Sequence, residues 1–126
     1  RVLVTGAGGR IGSDLAARLA DRYDLRLMYH RSVPDDPPVA DWLVADTGAI
    51  ASLRPAVAGM DAVVHLAGEP STMAPWERVL EANIVGTRNL FEAARQAGVG
   101  RVVFASTNHV MGMYDRDREW PVYSHQ

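Results

Sequence analysis

Hydrophobic and polar positions along the chain follow two patterns. Five short, largely apolar runs have strand length: Val2–Thr5, Leu25–Tyr29, Trp42–Ala45, Ala62–Leu66 and Val102–Ala105. Between them, apolar residues return every three or four positions, the period of a helix buried on one side. Ile11, Leu15, Leu19 and the intervening alanines share a face from Ile11 to about Asp21. A second helix is expected from Asp46-Thr47 to about Ala58, kinked or shortened by Pro55 and capped by Gly59. The longest spans Pro75 to about Ala97, with Trp76, Val79, Leu80, Ile84, Thr87, Leu90, Phe91 and Ala94 along its stripe and Gly98 at its end. The proline-rich stretch 31–40 and the segment 67–74 read as loops, and beyond Met113 the chain is polar and without period.

Strands alternating with helices predict an α/β fold, a doubly wound parallel sheet with right-handed crossovers and strand order 3-2-1-4-5. In such a sheet ligands bind at the carboxyl ends of the strands, beside the switch point between the first and fourth strands. The residues directly after each strand are therefore the ones to read for chemistry.

After the first strand comes Thr5-Gly6-Ala7-Gly8-Gly9-Arg10-Ile11-Gly12, which opens at once into a helix. Gly6 suits a tight turn, Gly9 a close approach to a pyrophosphate, and Gly12 close packing of helix on strand. The helix N-terminus directs N–H groups and partial positive charge at the anion. The bland alternative is an ordinary strand-to-helix turn.

The second strand ends in Tyr29-His30-Arg31, and no carboxylate follows until Asp35. An NAD site places an acid about 20 residues beyond the glycines, to hold the ribose 2′-hydroxyl. Arginine there suits a 2′-phosphate instead, with Arg10 as a second donor, so the charge pattern leans to NADP over NAD. Read blandly, His30 and Arg31 are solvated loop residues. Asp46 and Thr47 follow the third strand. Asp46 can cap a helix, bind an adenine amino group, or do both. The fourth strand leads into His65-Leu66-Ala67-Gly68, where Ala67 and Gly68 leave room for a nicotinamide ribose and His65 reads as a core histidine. Asn83 lies on the apolar stripe of the long helix. If buried it should bond main-chain groups of a neighbouring strand or position a water; read blandly, it is a partly exposed edge of the stripe. Ser106-Thr107-Asn108-His109 follow the fifth strand and group hydroxyl, amide and imidazole side chains where a polar substrate would lie.

Composition narrows the function classes. The chain has 126 residues, a net charge of -2 and no cysteine. The charge gives no attraction to nucleic acid or anionic lipid. Disulfides and thiolate metal sites are excluded, no metal site is expected, and a cytoplasmic protein fits. No apolar run approaches the roughly 20 residues of a membrane span. All 13 basic residues are arginine, so a mechanism that needs lysine cannot be completed by these residues. The first strand begins at once, without room for a signal peptide and without an initiator Met, so residues are expected to precede it.

These motifs together resemble the extended short-chain dehydrogenases/reductases, the NAD-dependent epimerase/dehydratase group. The glycine stretch is similar to their TGxxGxxG. Asp46, His65-Leu66-Ala67-Gly68, Glu81-Ala82-Asn83-Ile84-Val85-Gly86-Thr87 and Phe104-Ala105-Ser106-Thr107-Asn108-His109 occur in the family's order and spacing, the last most like uronate dehydrogenases and NAD-dependent glucose-6-phosphate dehydrogenases. The resemblance covers about residues 1–113 and implies a Rossmann domain there, with 114–126 an irregular active-site loop leading to a further C-terminal part. It implies that Gly6, Gly9, Arg10, Ile11, Gly12, His30, Arg31, Asp46, Thr47, Leu66, Ala67 and Gly68 face the cofactor. Thr107 would be the catalytic hydroxyl, with Asn83 supporting the active-site backbone. Ser71 (with Pro70 competing for its place), Asn108 and His109 would contact a small sugar or sugar acid. A homodimer through the long helix is also common in the group.

The family's Tyr-x-x-x-Lys pair is absent: Tyr114 is followed four residues later by Arg118, and Tyr123 stands near the end. The pair is expected on the next helix, beyond Gln126. Oxidation of a sugar at C1 is the leading reading. A nucleotide-sugar epimerase or dehydratase, or a non-catalytic NAD(P)-sensing module, remains as the alternative.

Overall fold

The computed structural model describes residues 1–39 and 41–107. Asn108, His109 and the segment 114–126 therefore lie outside the described residues. In chain order the elements are β1 (Val2–Thr5), α1 (Arg10–Leu19), β2 (Leu25–Tyr29), β3 (Trp42–Val44), α2 (Ile50–Val57), β4 (Ala62–His65), α3 (Trp76–Val79), a π-helical segment (Leu80–Val85), α4 (Gly86–Gln96) and β5 (Arg101–Phe104). Among the described residues the strands form one parallel sheet in the order β3-β2-β1-β4-β5. This is the doubly wound arrangement expected from the sequence.

The two-residue period of the strands divides the core into two layers. Leu3, Met28 and Val63 point to one side, where Leu53, Ala56 and Val57 of α2 and Leu90 and Ala93 of α4 cover them. Val4, Leu25, Leu27 and Tyr29 point to the other, against Ala7 and Ala16. β1 is thus buried on both faces and carries the glycine turn into the middle of the sheet.

Several expectations about helix faces need correction. Ile11 is 67% exposed; the buried residues of α1 are Gly12 and Ala16. The glycine brings the helix so close to the turn that a neighbouring Ile has no core left to enter. α2 begins at Ile50, because Asp46 is used in a turn: its Oδ1 accepts the Gly48 N–H at 2.8 Å. The expected single helix from Pro75 changes to π geometry over Leu80–Val85. Residues of the π segment no longer keep the 3.6-residue stripe. Leu90 and Ala94 are buried, whereas Trp76, Ile84 and Phe91 are exposed. Val103 and Phe104 of β5 also keep about half their surface.

Two polar residues that periodicity does not mark hold the layers together. Arg26, on the α2 side of β2, donates from Nε to Asp41 and from Nη1 to the carbonyls of Pro55 and Ala58 at 3.1 Å each, so it caps the C-terminal end of α2. Asn89, buried in α4, donates to the carbonyls of Thr47 and Gly48 at 3.0 Å each. It ties the loop after β3 to the helix. Asn89→Leu removes both bonds and strands two carbonyls, which should destabilise the fold by about 1–3 kcal/mol. Differential scanning calorimetry should show a thermal midpoint several degrees lower; an unchanged midpoint would mean that the tie is idle.

Candidate functional site

At the carboxyl ends of the strands lies a cavity of about 570 Å³, within the usual range of roughly 300–1,000 Å³ for small-molecule sites. Gly6, Gly9, Arg10, Ile11 and Gly12 form its floor. His30, Arg31, Asp46 and Thr47 line one end; Leu66, Ala67, Gly68, Glu69 and Ala105 line the other. Arg78, Glu81 and Ala82 reach it from the long helical segment.

The floor is set by two backbone demands. Gly6 has φ +67°, in the left-handed region, and a Cβ there would lie 2.8 Å from the Ala67 nitrogen. A Cβ on Gly12 would lie 2.2 Å from the Gly6 oxygen. The turn and the first turn of α1 are therefore pressed together, which directs the helix N-terminus into the cavity. Gly9 and Arg10, where α1 begins, are exposed there.

Thr5 fastens this turn to β4. The N–H groups of Leu66 and Ala67 both donate to Thr5 Oγ1 at 3.2 Å. They fill its two lone pairs, so its own proton goes to His65 Nδ1, 2.8 Å away. His65 is then neutral with its proton on Nε2, which donates to Thr87 Oγ1 at 3.2 Å. Burial holds this imidazole neutral by pushing its pKa down to about 4. The ring also stacks on Phe104, with centroids 5.6 Å apart. His65 is thus a core histidine with both nitrogens engaged, and it does not line the cavity.

At the β2–β3 end, His30 Nε2 lies 4.0 Å from Asp46 Oδ1. At the β4–β5 end, Asn83 binds both main-chain groups of Glu69: its Oδ1 accepts the N–H at 2.7 Å and its Nδ2 donates to the carbonyl at 3.1 Å. The sequence pattern predicts main-chain groups of a neighbouring strand or a water as partners for Asn83; the partner is instead the main chain of Glu69, in the loop after β4. Glu69 in turn accepts the Ser71 N–H on Oε1 at 3.0 Å and pairs with Arg78 through Oε2 at 2.8 Å.

Every residue expected to face a cofactor lines the cavity. Asn83 supports one wall from behind. Ser71 is exposed and outside the lining, its Oγ accepting the Met73 N–H at 3.2 Å. Thr107 is exposed just beyond the end of β5. Thr5, Glu69, Arg78 and Asn89 were not singled out from the sequence. Glu69 and Arg78 had a detectable signal: charges at a strand end and on the helix that crosses it. Among the described residues no His/Cys/Asp/Glu group could hold a metal ion, and no helix is long and apolar enough to cross a membrane.

A parallel sheet of this order, with a glycine turn under a cavity at its switch point, is a Rossmann-type domain. Residues 2–125 match the NAD dependent epimerase/dehydratase family, and the chain belongs to that family. It is 41% identical over 125 residues to the NAD-dependent glucose-6-phosphate dehydrogenase of Haloferax volcanii, covering 95% of this chain and 48% of that protein. It is 42% identical over 115 residues to the L-arabinose 1-dehydrogenase (NAD(P)(+)) of the same organism, covering 91% and 44%. Among solved structures, a variant of uronate dehydrogenase from Agrobacterium tumefaciens complexed with NAD superimposes with a TM-score of 0.79 at 41% identity, over 86% of this chain and 41% of that one. The chain thus spans about half the length, or less, of these relatives.

Proposed function

We propose that the cavity holds a nicotinamide dinucleotide and that the intact protein is an NAD(P)-dependent dehydrogenase acting on a sugar or sugar acid at C1. The observation that carries this reading is the cavity itself, which lies over a glycine floor pressed against a helix N-terminus. The residues fit the group: a Cβ on Gly6 or Gly12 would strike main-chain atoms, so glycine is what allows the turn and helix start that present N–H groups to an anion. The adenosine half fits the His30–Thr47 end and the nicotinamide half the Leu66–Gly68 end. When bound, the cofactor would supply hydride transfer to and from its nicotinamide ring.

This chain's own residues would do the rest of the positioning. The N–H groups at the start of α1 offer hydrogen bonds to the pyrophosphate. Asn83 fixes the Glu69 backbone and so the wall beside Gly68. Thr107 would hydrogen-bond the reacting oxygen, and Ser71, Asn108 and His109 would contact the sugar. The resemblance implies that the tyrosine of the Tyr-x-x-x-Lys pair is the proton acceptor, and it would come from chain outside these residues. Dimerisation through the long helical segment, where Trp76, Ile84 and Phe91 are exposed, and a cytoplasmic setting belong to the same proposal.

The phosphorylated cofactor fits the β2 end better, although relatives carry NAD or NAD(P)(+) in their names. Arg31 and Arg10 both line the cavity, and no carboxylate stands between Tyr29 and Asp35. Arg31→Ala should weaken NADPH binding by about 10-fold, the loss of one charge-assisted hydrogen bond, and leave NADH binding nearly unchanged. Fluorescence titration of the two reduced cofactors checks this. Much tighter binding of NADH than NADPH by the unaltered protein would overturn the NADP preference. For the reaction, oxidation of uronates, aldoses and aldose phosphates should be followed by the absorbance of the reduced nicotinamide that forms. A protein that binds the dinucleotide but oxidises none of them would overturn the dehydrogenase reading in favour of an epimerase or a sensor.

A further inference from the structure

We propose that Arg78, held by Glu69, selects a sugar that carries an anionic group. This rests on the dehydrogenase reading and names the substrate class. The relatives divide on that point by name: glucose 6-phosphate and uronates are anionic, whereas L-arabinose is neutral.

Arg78 lines the cavity on the side of Gly68, Glu69 and Ala105, beyond β4 and β5 and away from His30 and Arg31. Its Nη2 is fixed by Glu69 Oε2 at 2.8 Å. Glu69 is itself immobilised. Its side chain is 13% exposed; its other oxygen accepts the Ser71 N–H, and its main chain is held at both ends by Asn83. The guanidinium is thereby oriented before any ligand arrives. Its side chain remains 59% exposed, and among the described residues it forms an ion pair with Glu69. A planar guanidinium has five N–H donors, and a carboxylate on one edge leaves another edge for a second oxyanion. A tethered arginine in a cavity, with donors to spare, is suited to a carboxylate or a phosphate and gives a neutral hydroxyl much less. Two sources could supply the anion: the sugar, or the dinucleotide's own phosphates. The position beside Gly68 favours the sugar, because the pyrophosphate belongs over the glycine floor.

The test compares Arg78→Gln, Arg78→Lys and the unaltered intact protein in two assays. In the first, KM is measured for glucose 6-phosphate, glucuronate and L-arabinose. Arg78→Gln should raise KM for the anionic sugars by about 10- to 100-fold, the value of a charge-assisted contact, and leave L-arabinose within about 2-fold. Arg78→Lys should recover part of the loss. In the second, which needs no turnover, glucose 6-phosphate and glucuronate should raise the thermal midpoint of the unaltered protein and not that of Arg78→Gln. NADH titration accompanies both, and its Kd should stay within about 2-fold. Equal loss for charged and neutral sugars, weaker NADH binding in step with the sugar effect, or no change in any assay would overturn the proposal. Failure of the unaltered protein to bind either dinucleotide would strike the dehydrogenase reading instead, and the thermal assay would still decide whether Arg78 binds a sugar anion.

Discussion

Gly12→Ala is expected to abolish dinucleotide binding and to destabilise the fold by about 3 kcal/mol or more, at the upper end of overpacking costs. The added methyl would sit 2.2 Å from the Gly6 oxygen and 2.9 Å from the Ala7 Cα. Both neighbours are main chain, so no rotamer change relieves the clash. Either α1 lifts away from β1 or the glycine turn deforms, and both remove the floor of the cavity. Gly8→Ala is the control. Its Cβ would meet the edge of the Tyr29 ring at 3.4 Å, ordinary contact, and its φ is not in the left-handed region. Urea unfolding and NADH titration should separate the two variants. Gly12→Ala should lose at least about 100-fold in affinity, roughly the contribution of two charge-assisted hydrogen bonds. Gly8→Ala should stay close to the unaltered protein. Retained affinity and stability in Gly12→Ala would show that the turn can yield.

Acid should loosen the same region through His65. The unfolded chain takes up a proton on this imidazole near its ordinary value of 6.5, and the folded chain does so only at about 4. Between these values the unfolded state binds more protons, so stability falls as pH falls. The contribution is complete above about 6.5 and lost below about 4, and it amounts to about 3 kcal/mol. The structural cause is explicit. A proton on Nδ1 would displace the one Thr5 donates there, and Thr5 Oγ1 already accepts two main-chain N–H groups. Protonation therefore breaks the tie between the glycine turn and β4. Urea midpoints measured from pH 7.5 to pH 4.5 should fall more steeply for the unaltered protein than for His65→Gln. Asp61 and Glu92, whose values are lowered by partners, titrate mostly below this window and in both proteins, so they cancel in the comparison. Parallel slopes would contradict the assignment of the neutral imidazole.

The sheet was legible because the strands report burial directly: β1 and β4, flanked on both sides, read as apolar runs. The cavity was legible because topology alone says where strand ends meet, and the residues at those ends were then few enough to read. Side chains that act across the sequence were not. Thr5 looks like the last residue of a strand, and its role depends on two N–H groups more than sixty residues away. Arg26 makes β2 look mixed rather than apolar, because its target is the end of α2, nearly thirty residues on. The π segment has no period of its own to detect. A stripe extrapolated through it therefore counted Trp76, Ile84 and Phe91 as core, although they stand exposed. Ile11 misled for the opposite reason: the position was helical, but the adjacent glycine, and not the apolar side chain, makes the contact.

The central claim is that the cavity over Gly6–Gly12 is a nicotinamide dinucleotide site, and equilibrium titration of the intact protein with NADPH and NADH tests it most directly. Saturable binding of at least one of them with a Kd of about 1–100 μM, lost in Gly12→Ala and retained in Gly8→Ala, is the predicted result. Absence of saturable binding of either cofactor, up to about 1 mM by the same affinity scale, would contradict it.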